Sequence, residues 1–404
     1  MKILHTADWH LGKMLHKQSL ATEMLSFLNW LLSYIKEEEV DLLLVSGDVF
    51  DIANPSSKDR ENYFHFLSEL HQLGTQSIFT GGNHDSIGVL NAPAELLSYM
   101  GITVIGGATD PIIDEVIEIK DKDGALAAVV AAVPFLRDKD LRRIDQNKQT
   151  DRREAIREGM KLHYQILSDH CAKYKGKVPV LAMGHLYAKG ASVSESERDI
   201  GNQSAISADI FTDVFDYVAL GHIHRPQIVA KNECFRYSGS PIALSFSEKA
   251  DEKCVLLIET KDTEVTKIKT VPVPKRRKLV RLVGSYEEVS KKLENYKSEH
   301  ALPDFIELLF KAPTFSHSLI MDVEALIMSY QDQDEFVILK HAFDFEENSR
   351  KVNDYFGSDV QIEEMKPEDI FGTKLIGEET LEEAQKTKLK ELFREVLVDI
   401  QQND

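Results

Sequence analysis

Thiols are scarce in this 404-residue chain. Cys171, Cys234 and Cys254 are odd in number and widely spaced, which argues against a disulfide framework or a zinc ribbon. No apolar stretch approaches the roughly 20 residues needed to cross a bilayer. The first polar motif stands at Asp8, leaving no room for a cleavable leader, so the expected location is the cytoplasm. A GxxxxGK[ST] loop is also missing, so ATP handling would fall to a partner. There is no Gly-x-Ser-x-Gly elbow and no Cys/His pairing with a nucleophilic context. Gly81-Gly82 and Gly106-Gly107 read as backbone turns, not phosphate cradles. Positive charge is in deficit: 48 Lys and Arg against 67 Asp and Glu leave a net charge of −19, the wrong sign for a simple polyanion-binding surface. Hydrophobic content of 43% and charged content of 28% are ordinary for a soluble globular protein large enough for one core and accessory modules.

Five short polar motifs stand out, each following an apolar, strand-like run: Asp8-Trp9-His10, Gly47-Asp48-Val49-Phe50-Asp51, Gly82-Asn83-His84-Asp85, Gly184-His185 and Gly221-His222-Ile223-His224. The preceding runs are KILHTA, VDLLLVS, QSIFTG, VPVLAM and FDYVAL. Such runs, separated by helical stretches, suit strands buried on both faces. Ligands gather beyond the carboxyl ends of such strands, so distant motifs can share one crevice. Carboxylates, imidazoles and one amide, without thiolate, form a donor set for hard or borderline divalent metals. A bridging carboxylate can hold two cations about 3.5–4 Å apart, a spacing that lets a shared hydroxide attack phosphorus. If only Asp8 and Asp48 bring charge, the loaded site stays net positive and attracts a phosphodiester. Any one histidine is more often a packing or surface residue than a ligand; it is the full order at strand ends that is specific. His65, His71, His163 and His317 lack this context, and His5, inside the first run, reads as packing.

Charge and periodicity divide the chain. Residues 137–177 hold twelve Lys/Arg against seven Asp/Glu, including Arg142, Arg143, Arg152, Arg153 and Arg157, whereas residues from Asp344 onward hold eight against seventeen. A solvated helix face explains the basic region as readily as a DNA surface does. Leu20, Met24, Phe27, Leu28, Leu31, Leu32 and Ile35 recur at helical spacing between Gln18 and Glu39, and Ser57–Leu73 and Arg153–Tyr174 also read as helices. FRYSGSPIALS, VLLIET and VTKIKTV are expected in a second sheet. The expected divisions are residues 1–272, a two-sheet α/β sandwich with outer helices; 273–345, a small β-α-β-α-β module after the VPVPKRRK linker; and 346–404, a helical tail. Ser285 with Glu288 and Thr380 with Glu383 are candidate capping boxes. Leu381, Ala384, Leu389, Leu392, Phe393, Val396, Leu397 and Ile400 mark one apolar face, and a shorter helix from Pro367 would present Ile370, Phe371 and Leu375.

The five blocks resemble the calcineurin-like metallophosphoesterase superfamily and, within it, the SbcD family of nuclease subunits. MKILHTADWHLGK, SGDVFD, GGNHDS, GHL, RDIGN, LGHIHRPQ and YSGSPIALSFSEK carry the likeness. The resemblance implies Asp8, His10, Asp48 and His224 around one metal, and Asp48, Asn83, His185 and His222 around the other. It implies His84 as a catalytic donor to the scissile phosphate or leaving oxygen, with Asp85 as its supporting carboxylate. It further implies two divalent ions, Mn²⁺ before Mg²⁺ because imidazoles are many. The implied activity is 3′→5′ exonuclease on duplex ends and endonuclease on hairpins or single strands, in DNA recombination, replication and repair. The implied partners are DNA, an SbcC-like coiled-coil ATPase gripped by the C-terminal helices, and a second copy of the chain. A relative acting on a small nucleotide or phosphoprotein and a non-catalytic scaffold are the alternatives.

Overall fold

Apolar runs that must hide both faces need a layer on each side, and the computed structural model shows that solution. It describes residues 1–142, 152–192, 205–331, 333–345, 371, 375, 385–390 and 392–393. The strands are β1 (Lys2–Thr6), a short pair β2 (Met14–Leu15) and β3 (Gln18–Ser19), β4 (Leu42–Ser46), β5 (Gln76–Thr80), β6 (Ile102–Ile105), β7 (Val116–Lys120), β8 (Leu126–Ala132), β9 (Val180–His185), β10 (Tyr217–Gly221), β11 (Gln227–Val229), β12 (Asn232–Tyr237), β13 (Cys254–Lys261) and β14 (Glu264–Pro272). One sheet has the order β14-β13-β1-β4-β5-β6 and the other β11-β12-β10-β9-β8-β7. β1, β4, β5 and β6 are mutually parallel, as are β8, β9, β10 and β12.

Period-two alternation assigns each side chain a layer. In β4, Leu42 and Leu44 enter the core between the sheets, while Leu43 and Val45 face the helices outside. In β9, Leu181 and Met183 point inward, and Val180 and Ala182 join the outer core of the second sheet. The expected two-sheet α/β sandwich is the fold found. One expectation is corrected: β13 and β14 belong to the first sheet, with β13 antiparallel to β1, not to the second. β13 sends Leu256 and Ile258 to the inter-sheet core and Val255 and Leu257 to the outer one, so it needs an interior position beside β1.

The expected helix between Gln18 and Glu39 runs Ala21–Glu38, because Gln18 and Ser19 pair with Met14 and Leu15 instead. Ser57–Leu73 is helical, opened by a reciprocal Ser56/Asp59 capping box. The third helix runs Arg152–Cys171 with a 3₁₀ turn over Ala172–Tyr174.

The chain divides into two compact units, Met1–Val280 with Ser298–Phe305, and Arg281–Lys297 with the residues from Ile306. A three-stranded sheet follows β14, with the order β15 (Leu279–Gly284), β16 (Asp304–Ala312), β17 (Phe336–Phe345). Its helices are Tyr286–Glu294, opened by the Ser285/Glu288 capping box, and His317–Ser329, capped by Ser316. Val289, Leu293, Val323, Ile306, Leu308 and Phe310 are buried there. Among the described residues no helix is long and apolar enough to cross a membrane.

Candidate metal centre

The carboxyl ends of β1, β4 and β5 in one sheet carry Asp8, His10, Asp48, Asn83 and His84; those of β9 and β10 in the other carry His185, His222 and His224. The sheets are linked close to this end: the Ser46 hydroxyl donates to the Ala219 carbonyl at 3.0 Å, and His185 Nδ1 lies 3.0 Å from the Ser46 carbonyl. Chain crowding here demands small residues. A Cβ on Gly47, whose φ is +83°, would strike the His185 ring, and a Cβ on Gly82 would strike the Asp48 carboxylate. Asp8, His10, Asp48 and His222 themselves adopt positive φ (53°, 48°, 49° and 97°), a conformation that costs free energy and persists only where its surroundings enforce it.

All seven expected ligand residues converge. His10 Nε2 lies 3.2 Å from His224 Nε2 and 3.6 Å from Asp48 Oδ2. Asp48 Oδ2 is also 3.3 Å from His185 Nε2, so one oxygen faces both groups of ligands. Asn83 Oδ1 is 2.9 Å from His185 Nε2 and 3.0 Å from His222 Nδ1. Asp8 Oδ1 accepts from the His222 backbone N–H at 2.8 Å, while the buried Asp8 Oδ2 has no hydrogen-bond partner. Donors at about 2.0–2.2 Å from one ion lie about 3 Å from each other, so these spacings fit cation ligation. Two ring nitrogens in mutual contact and a partnerless buried carboxylate oxygen are groups that a cation would satisfy. Clustered His and Asp side chains thus suit divalent metal binding.

Electrostatics agree. Burial raises Asp8 to about 7; the nearby Asp48 adds to the rise, and His185 opposes it. Burial would also raise Asp48, but the adjoining His185, with His10 and His84, holds it well below the carboxylate range. His185 is driven to about 9 because Asp48 and Asp8 outweigh its burial. His222 falls to about 3 through burial and the nearby His185.

His84 is half-buried at the edge of this cluster. Its backbone N–H donates to Asp48 Oδ1 at 2.9 Å, and its Nδ1 lies 2.7 Å from the Asp51 carbonyl. That carbonyl corrects the expectation for Asp85. Asp85 does not meet the His84 ring; its carboxylate accepts from the N–H groups of Gly82, Val49 and Phe50, tying two site loops together. Those three donors lower its pKa, yet burial and the nearby Asp48 raise it overall to about 6. Arg137 donates to the Asp85 carbonyl at 3.1 Å. His5 is buried and 2.9 Å from the Tyr217 hydroxyl, in keeping with packing.

Sequence reading assigned no role to Asp51, Glu248 or Lys253. Asp51 Oδ1 lies 3.1 Å from His10 Nδ1 and accepts from Lys13 at 3.0 Å. Glu248 Oε1 lies 3.4 Å from His224 Nδ1, and Lys253 donates to Glu248 Oε2 at 2.6 Å. Asp51 closes a motif already singled out; Glu248 lies in the YSGSPIALSFSEK stretch that carries the family likeness, but a carboxylate in a Ser-rich loop reads as solvated. Arg157 is exposed. The side chains of Arg142, Arg143, Arg152 and Arg153, the RDIGN stretch, Pro367, Ile370, Thr380, Leu381, Glu383, Ala384, Val396, Leu397 and Ile400 lie outside the described residues.

The calcineurin-like phosphoesterase family matches residues 1–226. The SbcD subunit of the nuclease SbcCD from Escherichia coli (strain K12) is 33% identical over 411 residues, covering 98% of each chain. Its namesake from Rhodobacter capsulatus is 34% identical over 70% of this chain and 71% of its own, and that from Bacillus subtilis 33% over 65% and 67%. The chain therefore belongs to the calcineurin-like phosphoesterases and, within them, to the SbcD family.

Proposed function

We propose that this chain is a metal-dependent DNA nuclease subunit, a phosphodiesterase that works with an SbcC-like coiled-coil ATPase. The observation that carries this is the meeting of Asp8, His10, Asp48, Asn83, His185, His222 and His224 at one strand-end crevice, in a chain similar over almost its whole length to the Escherichia coli SbcD protein. Asp8, His10, Asp48 and His224 would hold one divalent ion and Asp48, Asn83, His185 and His222 the other, with Asp48 between them. Two such ions would supply Lewis acidity to the phosphodiester oxygens and a water acidic enough to be a nucleophile near neutral pH. Manganese is the proposed ion, because a site with several imidazoles is ill suited to the hydrated, all-oxygen preference of magnesium.

The protein's own part is orientation and proton transfer. The Asp48 carboxylate is steered by the His84 N–H on one oxygen and by His10 and His185 on the other. With His84 Nδ1 committed to the Asp51 carbonyl, Nε2 is the atom left for substrate; as imidazolium it donates to the scissile phosphate or the leaving oxygen. Asp85 holds the Gly82 and Val49–Phe50 backbones in register, which fixes where His84 stands.

The resemblance extends the proposal to 3′→5′ cleavage of duplex ends and endonucleolytic opening of hairpins and single strands, in the cytoplasm. Self-association is supported by exposed apolar groups near the helix Ser57–Leu73 and the short helix Ala94–Ser98: Phe64, Leu96 at 67% and Tyr99 at 81%. Docking of the ATPase through the tail is supported by exposed Leu389 and Leu392, beside a Phe371–Phe393 stack. The test is cleavage of a labelled DNA hairpin and a blunt duplex across divalent metals, with and without the ATPase. Hydrolysis of small phosphodiesters alone, under every condition, would rule out the nuclease reading.

A further inference from the structure

Behind His224, on the side away from His10, lies a buried ion pair that the proposed chemistry does not use. Glu248 is 0% exposed and Lys253 7%. The Lys253 ammonium has three protons and three acceptors: the His224 carbonyl at 2.9 Å, the Ser240 hydroxyl at 2.9 Å and Glu248 Oε2 at 2.6 Å. Glu248 Oε2 also accepts from the Leu244 N–H at 3.2 Å. Its other oxygen, Oε1, takes the Ser245 hydroxyl at 3.0 Å and faces His224 Nδ1 at 3.4 Å. One residue pair therefore grips both ends of His224, the ring and the backbone carbonyl.

We propose that Glu248, held by Lys253, is the positioning carboxylate of His224: it fixes the Nδ1–H tautomer and so turns the Nε2 lone pair toward the first cation. This rests on the metal-centre reading above. His10 Nε2 and His224 Nε2 face each other at 3.2 Å, so both can serve one cation only if both rings carry their proton on Nδ1. On His10 that proton meets Asp51, and on His224 it meets Glu248. A lone buried carboxylate would spend free energy on desolvation and cancel part of the positive charge that draws phosphate. Lys253 removes both objections, because the pair is neutral overall while its carboxylate end still points at Nδ1. A paired, hydrogen-bonded carboxylate of this kind orients a ligating imidazole and raises its basicity.

The test measures Mn²⁺ stoichiometry and affinity by titration calorimetry, with histidine ¹⁵N NMR of the metal-free protein, on four full-length chains. These are wild type, Glu248→Gln, the charge-neutral double variant Glu248→Gln/Lys253→Met, and Glu115→Gln. Glu115 is buried and 2.7 Å from His163, which belongs to none of the metal motifs, so its variant controls for mere loss of a carboxylate–imidazole pair. Expected for either Glu248 variant is a 10–100-fold weaker affinity for one of two ions, about the range for such supporting groups, and a His224 signal shifted toward the Nε2–H form. The control should lose thermal stability with both ions bound as in wild type. Wild-type affinity and tautomer in a folded Glu248 variant would overturn the proposal. So would loss of folding in both Glu248 variants while the control folds, which would make the pair a folding element. If wild type itself binds no divalent ion, the metal reading fails, a result separate from either.

Discussion

Asp48 presents Oδ1 to the His84 backbone and Oδ2 to His10 and His185. Replacing it with alanine removes the group shared by both proposed sets of ligands, so Asp48→Ala should abolish metal uptake and hydrolysis together; metal content after dialysis checks this. The proposed function assigns His84 to the reacting end instead. His84→Ala should keep both ions while slowing cleavage by about 10²–10⁴-fold, the usual span for an acid–base group. Metal content near zero in that variant would assign His84 to ligation.

His5 supplies the pH test at the same scale. Burial lowers it from 6.5 to about 3, so the folded chain resists a proton that the unfolded chain accepts. Its stabilisation is therefore complete above pH 6.5 and is lost as pH falls from there toward 3. Between pH 6.5 and 5 the loss amounts to about 2 kcal/mol at most. His5→Gln, which can still accept from the Tyr217 hydroxyl, should flatten that part of the stability profile in urea titrations.

At the scale of elements, site geometry depends on how closely loops may approach. Gly82 leaves room for the Asp48 carboxylate, so Gly82→Ala should displace the proposed bridging group without replacing any proposed ligand. The expected result is at least a tenfold loss of metal affinity with the helix and strand signal in circular dichroism retained. Unchanged affinity would mean that the GGNHD loop can move aside. The same loop is tied by Asp85 to the loop after β4, which explains how motifs from separate strands keep one geometry.

At the scale of the whole molecule, the proposed function places catalysis and partnership in different parts of the chain. Every ligand candidate precedes residue 225, so removing residues from Glu378 onward should spare metal binding and basal cleavage of simple DNA ends. It should abolish stable association with the SbcC-like ATPase, and charged residues at Leu389 and Leu392 should do the same, read by co-purification. Truncation that unfolds the metal centre would make the tail a core element. Self-association is tested by light scattering at micromolar concentration, with dimer as the expected mass; monomer alone, with and without the ATPase, would exclude it.

The sequence by itself determined which residues would meet. Apolar runs ending in Asp-x-His, Gly-Asp, Gly-Asn-His-Asp and Gly-His could be read without coordinates, because strand burial and strand-end polarity are local patterns. The helix Ser57–Leu73 and the start marked by Ser285 with Glu288 were legible for the same reason, whereas the Ser56 cap and the start at Ala21 came from the structure. The tertiary structure alone decided what depends on neighbours distant in sequence. β13 joined the first sheet because a strand buried on both faces takes an interior place beside β1, and the largely exposed β14 pairs with it at the sheet edge. Asp85 turned to backbone N–H groups because three donors surrounded it, and the Asp51 carbonyl took the ring of His84. Glu248, inside the YSGSPIALSFSEK stretch but with no role legible there, and Lys253, just beyond it, became a buried pair behind His224 because each ion leaves water only where the other awaits it.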